Sequence, residues 1–165
     1  MNSIYRLLII SIFFALQLSC GIYSFTGATI EVDTISIAFF ENRATLINPT
    51  LSQTFTESLK DRFISQSKLT LVDLNGEWQL KGSITNYRVS PIAATSEQAS
   101  LNRLTIDVKV DFKDITKEDV AWTQGFSRFA DFDANQSLNS VEETLVEEIN
   151  EQLVNDIFNK VAVNW

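Results

Sequence analysis

The sequence predicts an α+β domain with two amphipathic helices packed on one face of a four- to five-stranded mixed or antiparallel sheet. Two stretches repeat apolar residues at every fourth position, which is typical of helices, and several others alternate apolar and polar residues, which is typical of strands. The order along the chain is strand, helix, strands, helix. Two helices do not cover both faces of such a sheet, so we expect the second face to be polar.

The first residues predict an export signal. Arg6 precedes the apolar run "LLIISIFFAL", and the small residue Ser19 follows it. A run of about ten apolar residues is too short to span a bilayer, but it suits the central part of a signal peptide. The alternative is a buried N-terminal helix, and the order of these features favours a signal peptide over residues 1–19.

Cys20 is the single cysteine of the chain, so an exported form has no internal disulfide. "LQLSCG" resembles a bacterial lipobox, although Gln17 occupies a place where that pattern prefers leucine. We therefore predict lipidation of Cys20, a tether over residues 20–33 and a single domain over residues 34–165. The alternative is an inert buried thiol.

Composition excludes several functions. The 165 residues carry a net charge of −8, which becomes −9 without residues 1–19, so a nucleic-acid partner is not expected. The chain has no histidine and only five glycines, and it contains no nucleophile elbow or phosphate-binding loop. We predict no enzyme, no cofactor and no metal site.

The first half of the domain predicts a strand and a helix. Ile35, Ile37 and Phe39 alternate as in a half-buried strand. Asn48 suits the cap of a helix that begins at Pro49. The apolar stripe of this helix comprises Leu51, Phe55, Leu59 and Phe63.

Further strands follow. "LTLVD" predicts a short strand, and Asn75-Gly76 predicts a turn. Alternation from Trp78 to Ile84 changes phase near Tyr87, which indicates a bulge or the end of the strand. The clearest strand is "LTIDVKVDF", and "VAWTQGFSRF" alternates again, through Val120, Trp122 and Phe126.

The last element is a long helix. Ser140 and Glu143 form a capping box, and the acidic residues around them predict a solvated face. The buried stripe comprises Val141, Leu145, Ile149, Leu153, Ile157 and Val161.

Three cations, Lys81, Arg103 and Lys109, fall on the polar sides of the two best strands. Antiparallel pairing with partner numbers summing to 192 places Lys81 opposite Asp111, Leu80 opposite Phe112, Tyr87 opposite Thr105 and Val89 opposite Arg103. A sum of 190 places Lys81 opposite Lys109, a destabilising pair of like charges, so we predict the first register. The cations are candidates for binding phosphate groups, with ordinary surface charge as the alternative.

Several blocks in order, "SCGIYSFTGATI", "NPTLSQTFTESLKDRF", "LTLVD" and "NRLTIDVKVDF", resemble the Bacteroidota-type LptE family of lipopolysaccharide-assembly lipoproteins. The resemblance implies two helices on a mixed sheet and a lipid anchor on the periplasmic side of the outer membrane. It also implies two partners: lipopolysaccharide, and an LptD-type β-barrel that the domain plugs. Lys81, Arg103 and Lys109 then become candidates for binding the phosphates of lipopolysaccharide.

Three functions remain open from the residues alone. The first is an interaction subunit that plugs and organises a barrel. The second is a periplasmic carrier lipoprotein that binds lipid without a barrel. The third is a lipid-anchored hydrolase that uses two carboxylates. Co-purification with a barrel, retained lipid, or activity lost with one carboxylate distinguishes them.

Overall fold

The computed structural model describes residues 30, 32–46, 48–92, 100–118 and 120–163. The predicted signal peptide, Cys20 and most of the tether lie outside these residues. The elements are β1 (Thr34–Ile37), β2 (Glu41–Asn42), α1 (Leu51–Gln66), β3 (Thr70–Leu71), β4 (Trp78–Ile92), β5 (Leu101–Asp114), β6 (Ala121–Asp133) and α2 (Leu138–Phe158), followed by a π-helical turn (Asn159–Val163).

The described strands form one mixed sheet in the order β3-β1-β4-β5-β6, and β2 adds to β4 beyond β1. β1 pairs in parallel with β3 and with β4, and β2 pairs in parallel with β4. β5 pairs antiparallel with β4 and with β6. The α+β class is confirmed. The count of six strands is slightly higher than predicted, because β2 is a strand of only two residues that no local alternation reveals, whereas β3 lies within the predicted strand "LTLVD".

The two helices lie side by side and run in the same direction. Asn48 Nδ2, just before α1, donates to Glu142 Oε1 in the first part of α2 at 2.9 Å. At the other ends, the rings of Phe63 and Phe158 meet edge to face at 5.1 Å. The helix stripes and the inner sides of β4 and β5 together bury the core.

α1 bears out its predicted stripe, because Leu51, Phe55, Leu59 and Phe63 are fully buried. Asn48 caps the start of this helix: its Oδ1 accepts from the N–H groups of Thr50 and Leu51 at 3.0 and 3.1 Å. The helix begins at Leu51 rather than Pro49.

The capping box predicted for α2 is wrong. The helix begins at Leu138, so Ser140 lies inside its first turn, where Ser140 Oγ donates to the carbonyl of Ser137 at 2.7 Å. A serine at this position bonds the preceding turn as readily as it caps, and sequence spacing does not separate the two roles. The predicted stripe is buried from Leu145 to Val161, whereas its first member, Val141, is only partly buried.

One inserted residue changes the side of β1–β2 that faces the core. Ile37 pairs with Leu80, whereas Glu41 pairs with Ser83. The segment from β1 to β2 therefore has one more residue between these points than β4 has. The insertion reverses the alternation. Phe39 is therefore 58% exposed, contrary to the prediction, and Phe40 is fully buried against Phe55.

A second irregularity lies in β4. From Trp78 to Ile84 the pairing with β5 follows the predicted register, including Lys81 with Asp111 and Leu80 with Phe112. The register shifts between Ile84 and Asn86, so Tyr87 pairs with Ile106 and Val89 with Leu104. The pairings predicted for Tyr87 and Val89 are therefore wrong by one residue, and the predicted phase change is a bulge within a continuing strand.

Candidate functional site

The sheet presents one face to the helices and an open face to the outside. Side chains of β5 alternate: Leu104, Ile106 and Val108 point into the core, while Asp107 and Lys109 point outward. The open face is polar along β4, β5 and β6, as the count of two helices predicted. All three cations predicted from the sequence lie on this face.

Lys81 and Lys109 come together in a shallow depression of about 220 Å³ on the open face. Lys109 pairs with Ser83, two residues beyond Lys81, so the two ammonium-bearing side chains are diagonal neighbours. Asp111 lies directly opposite Lys81 and limits the positive charge of the depression. We call Arg43, Lys81, Lys109 and their surroundings the cationic depression.

Arg43 is a residue of the cationic depression that was not predicted from the sequence. Its backbone N–H donates to the carbonyl of Ile84 at 2.8 Å, which places its side chain beside Lys81 at the edge of the depression. The guanidinium also contacts Glu41 at 3.0 Å, and both side chains are largely exposed. Only the pairing of β2 with β4 brings Arg43 here, so no local sequence signal could have identified it.

Arg103 does not belong to the cationic depression. It lies six residues from Lys109 along β5, which corresponds to roughly 20 Å. Its guanidinium makes two hydrogen bonds with Asp131, at 2.7 and 2.8 Å, and stacks 3.6 Å above the ring of Phe129. The hydrogen bonds raise the pKa of Arg103 and hold the pKa of Asp131 below its usual range.

Two hydroxyl–carboxylate pairs also lie on the open face. Thr123 Oγ1 donates to Asp111, and Ser127 Oγ donates to Asp107. The amide of Asn86 also donates to Asp107, at 2.8 Å. The two hydroxyl contacts connect β6 to β5, and the Asn86 contact connects β4 to β5. These side chains of the open face are therefore held in place by hydrogen bonds between neighbouring strands.

The chain enters the domain at the end of the sheet formed by Trp78 and the β5–β6 hairpin. Glu77 Oε2 accepts from the backbone N–H groups of Asp33 and Thr34, at 2.7 and 3.0 Å. These hydrogen bonds hold the pKa of Glu77 below its usual range. Asp33 and Thr34 are therefore held at a fixed point beside β4.

A partly buried polar contact joins the helix layer to the sheet. Tyr87 of β4 donates its hydroxyl to Glu142, which also accepts from Asn48. Burial, and then the bond to Glu142, raises the pKa of the Tyr87 hydroxyl. The contact fixes the starts of both helices over the second half of β4.

Across the part of the chain that the structure describes, no three potential metal ligands converge. No described helix is long and apolar enough to cross a bilayer.

Comparison with known proteins identifies the family. The model of the LptE (lipopolysaccharide-assembly) family matches residues 32–161, which is most of the chain. The chain belongs to the LptE family. The resemblance noted in the sequence is thereby confirmed, and the match spans every described strand and helix of this LptE-family domain. No curated protein matches the chain in sequence.

Solved structures share the fold of this LptE-family chain at low identity. A minor lipoprotein from Acinetobacter baumannii has a TM-score of 0.56 at 14% identity, over 81% of this chain and 94% of the other. A putative neuraminyllactose-binding hemagglutinin homolog from Helicobacter pylori has a TM-score of 0.54 at 7% identity, over 79% and 86%. An uncharacterized lipoprotein B from Nitrosomonas europaea has a TM-score of 0.50 at 16% identity, over 79% and 83%.

Proposed function

We propose that this chain is a lipoprotein subunit of the lipopolysaccharide translocon of the outer membrane. Membership of the LptE family is the observation that carries the proposal. In this role the domain plugs and organises an LptD-type β-barrel and assists insertion of lipopolysaccharide into the outer leaflet. It acts by occupying and shaping the barrel rather than by making or breaking bonds.

The architecture supports a role as a plug. The lumen of a wide barrel is polar, so a plug needs a stable core and a polar outer surface. The open face supplies such a surface, and its hydroxyl–carboxylate pairs hold it rigid. The helices expose acidic side chains on the opposite side, including Glu147, Glu148 and Glu151.

The proposed anchor is a lipid on Cys20. Several acyl chains on one cysteine hold a domain firmly at a membrane, since each buried methylene contributes about 0.8 kcal/mol. Ile30 is ten residues after Cys20, so an extended tether reaches about 35 Å at most. The bonds of Glu77 to Asp33 and Thr34 would keep the Trp78 end of the sheet toward the membrane on the periplasmic side.

We propose the cationic depression as the part of the open face that meets lipopolysaccharide phosphates. Lys81, Lys109 and Arg43 offer separate donors within one depression. Arg103, the third predicted residue, is a weaker candidate because Asp131 and Phe129 already engage its guanidinium. It would contact a phosphate only by exchanging one of these partners.

The first experiment is mild detergent extraction of the tagged, full-length protein from its own membranes, with mass spectrometry of the co-purifying material. A stoichiometric large β-barrel and a lipidated Cys20 are the expected result. Recovery of the protein alone with bound lipid would contradict the barrel partnership and favour the carrier function.

The lipopolysaccharide site has its own test. We expect Lys81→Ala/Lys109→Ala to weaken lipopolysaccharide binding by the purified full-length protein by about tenfold, as loss of charge-assisted contacts implies. Lys60→Ala/Lys68→Ala is the matched control, because it removes the same charge from α1 and the loop after it. Equal binding by both double variants would exclude the cationic depression as the site.

A further inference from the structure

The bulge in β4 brings Arg88 to the open face. Before the bulge, even-numbered residues of β4 such as Leu80 and Ile84 point into the core. The register shift after Ile84 reverses this alternation, so Tyr87 is buried and Arg88 is exposed. An uninterrupted strand would direct the Arg88 side chain into the core. Bulges commonly re-aim a side chain next to a functional site, and Arg88 is the charge that this bulge places outside.

Arg88 is a cation that no other described side chain engages. Within the described ranges, its guanidinium makes no ion pair and no hydrogen bond. It lies opposite Thr105 of β5, which lies opposite Phe129 of β6, so these three residues form one row across the open face. Arg103, the diagonal neighbour of Arg88, is by contrast bonded to Asp131. Arg88 is thus the residue of this row that is available to an external anion.

The row of Arg88 lies at a fixed spacing from the cationic depression. Thr105, opposite Arg88, and Lys109 are four residues apart along β5, which corresponds to roughly 13 Å. Lys81 and Lys109 mark one end of this span, and Arg88 marks the other. Each end therefore offers charged donors to an oxyanion such as a phosphate or a carboxylate.

The surface between the two cationic ends is polar and carries a negative charge. Asp107 accepts hydrogen bonds from Ser127 and from the amide of Asn86, which hold its carboxylate in the middle of the face. An ionised carboxylate has about four acceptor positions, so two or so remain for donors of a ligand. Asp107 repels an anionic group at this place, whereas it matches a neutral body that carries hydroxyl groups.

Space for such a body lies over Gly125. A Cβ atom added at Gly125 would meet no atom within 4 Å, and a depression of about 500 Å³ lies over this glycine, beside Asp107 and Ser127. Four residues along β6, on the same face, Phe129 is 47% exposed, although Arg103 covers one side of its ring. The exposed part of the ring gives the C–H groups of a sugar an apolar surface to pack on. A glycine inside a strand often marks a place where another group approaches closely.

We propose that Arg88 binds a second anionic group of the lipopolysaccharide whose first phosphate occupies the cationic depression. The sugar between the two groups lies over Gly125, donates to Asp107 and packs against Phe129. The face thus selects a saccharide with an oxyanion at each end over a molecule with a single oxyanion. The inference rests on the proposed function and names Arg88, rather than Arg103, as the second anion-binding residue of the open face.

Two ligands that differ by one phosphate test the role of Arg88. The probes are a disaccharide lipid with a phosphate at each end and the same lipid with one phosphate, titrated into the full-length, detergent-solubilised protein. We expect the parent to bind the first about tenfold more tightly, as one charge-assisted hydrogen bond implies. Arg88→Ala should bind both probes with equal affinity. Arg62→Ala is the matched control, because it removes an arginine from α1 and should keep the tenfold preference.

A substitution at Gly125 tests the position of the sugar. Gly125→Val fills the depression with a residue that suits a strand, so the fold is kept. We expect it to weaken binding of both probes by about fivefold, because the sugar is common to them. Ala121→Val is the control, since it adds volume to the same strand outside this depression.

Three results would overturn the proposal. The first is a parent protein that binds the two probes equally, and the second is a tenfold preference that Arg88→Ala retains. The third is Gly125→Val protein that binds both probes as tightly as Ala121→Val does. Failure of the proposed function itself gives a different result: a parent protein that binds neither probe contradicts the lipopolysaccharide contact, and the role of Arg88 with it.

Discussion

The centre of the sheet and its β6 edge treat the same residue type in opposite ways. A Cβ at Gly82 of β4 would clash with the carbonyl oxygen of Lys109 and with the ring of Phe40. A Cβ at Gly125 of β6 would meet nothing within 4 Å. The first glycine is required by packing inside the chain, whereas no contact within the described domain requires the second.

This contrast distinguishes residues that determine the stability of the fold from residues that are available for contacts with other molecules. At the centre, every side chain is bounded by neighbours, so a change of volume strains or empties the core. At the edge of β6, the backbone groups and the space over Gly125 are bounded on one side only. Substitutions at the centre should therefore change the free energy of unfolding, while those at the edge should mainly change what binds there.

The largest effect is expected at Phe40. Truncation to alanine removes a fully buried ring that packs on Phe55 and covers Gly82, and we expect a loss of about 4 kcal/mol in unfolding free energy. Phe39→Ala is the control, because its ring is 58% exposed and its loss should be within 0.5 kcal/mol or so. Denaturant unfolding of the solubilised protein measures both. Equal losses would contradict the one-residue insertion between β1 and β2.

The two glycines provide the next test. Gly82→Ala forces the Phe40 ring or the β5 backbone to move, and we expect it to cost about 3 kcal/mol. Gly125→Ala should be neutral or slightly stabilising, because alanine fits the open space and reduces the entropy of the unfolded chain. The same unfolding experiment measures both variants. Similar values would remove the distinction between centre and edge.

Two hydroxyl–carboxylate bonds extend the comparison at smaller magnitude. Tyr87→Phe removes the buried donor to Glu142 and should cost about 1.5 kcal/mol. Thr123→Val removes an exposed donor to Asp111 on the edge strand, and its cost should be about 0.5 kcal/mol. Thermal unfolding at neutral pH compares them. A greater loss for Thr123→Val would show that the edge is the more tightly held region.

The smallest effect concerns Glu77, where the chain enters the sheet. Two backbone N–H bonds hold the pKa of Glu77 below its ordinary value of 4.5. The charged form is therefore favoured in the folded state, and its contribution is complete above that value and disappears as the pH falls through the lowered pKa. Glu77→Gln should lower the melting temperature at neutral pH, and the difference from the parent should vanish in acid. Glu57→Gln on the exposed side of α1 is the control. A pH-independent difference would contradict the role of the charge.

Sequence reasoning succeeded where a local period decides the structure. The four-residue stripe of α1 and the stripe of α2 were identified correctly, because a helix repeats its buried side without reference to other elements. The alternation of β5 and the pairing of Lys81 with Asp111 were also correct. The register argument worked because a like-charge alternative, Lys81 opposite Lys109, was visible in the sequence.

It failed where a single residue shifts a strand against its neighbour. The insertion that exposes Phe39 and buries Phe40, and the bulge that moves Tyr87 opposite Ile106, each reverse an alternation. A bulge is favoured by contacts with the partner strands and the helix layer rather than by its own residue types. The capping box at Ser140 failed for a related reason, since a serine near a helix start has two satisfactory positions.

The candidate site divides in the same way. The sequence identified the polar face that holds Lys81, Arg103 and Lys109, because alternation alone assigns side chains to a face. Only the tertiary structure added Arg43 through β2, separated Arg103 by pairing it with Asp131, and placed β6 at the edge of the sheet formed by the described strands.

The sequence by itself thus determined the α+β class, the faces of the helices and strands, and the polar character of the open face. The tertiary structure decided which residues on that face are neighbours. The physical reason is that periodicity is set within one element, whereas neighbour relations depend on strand order and on single-residue shifts between elements.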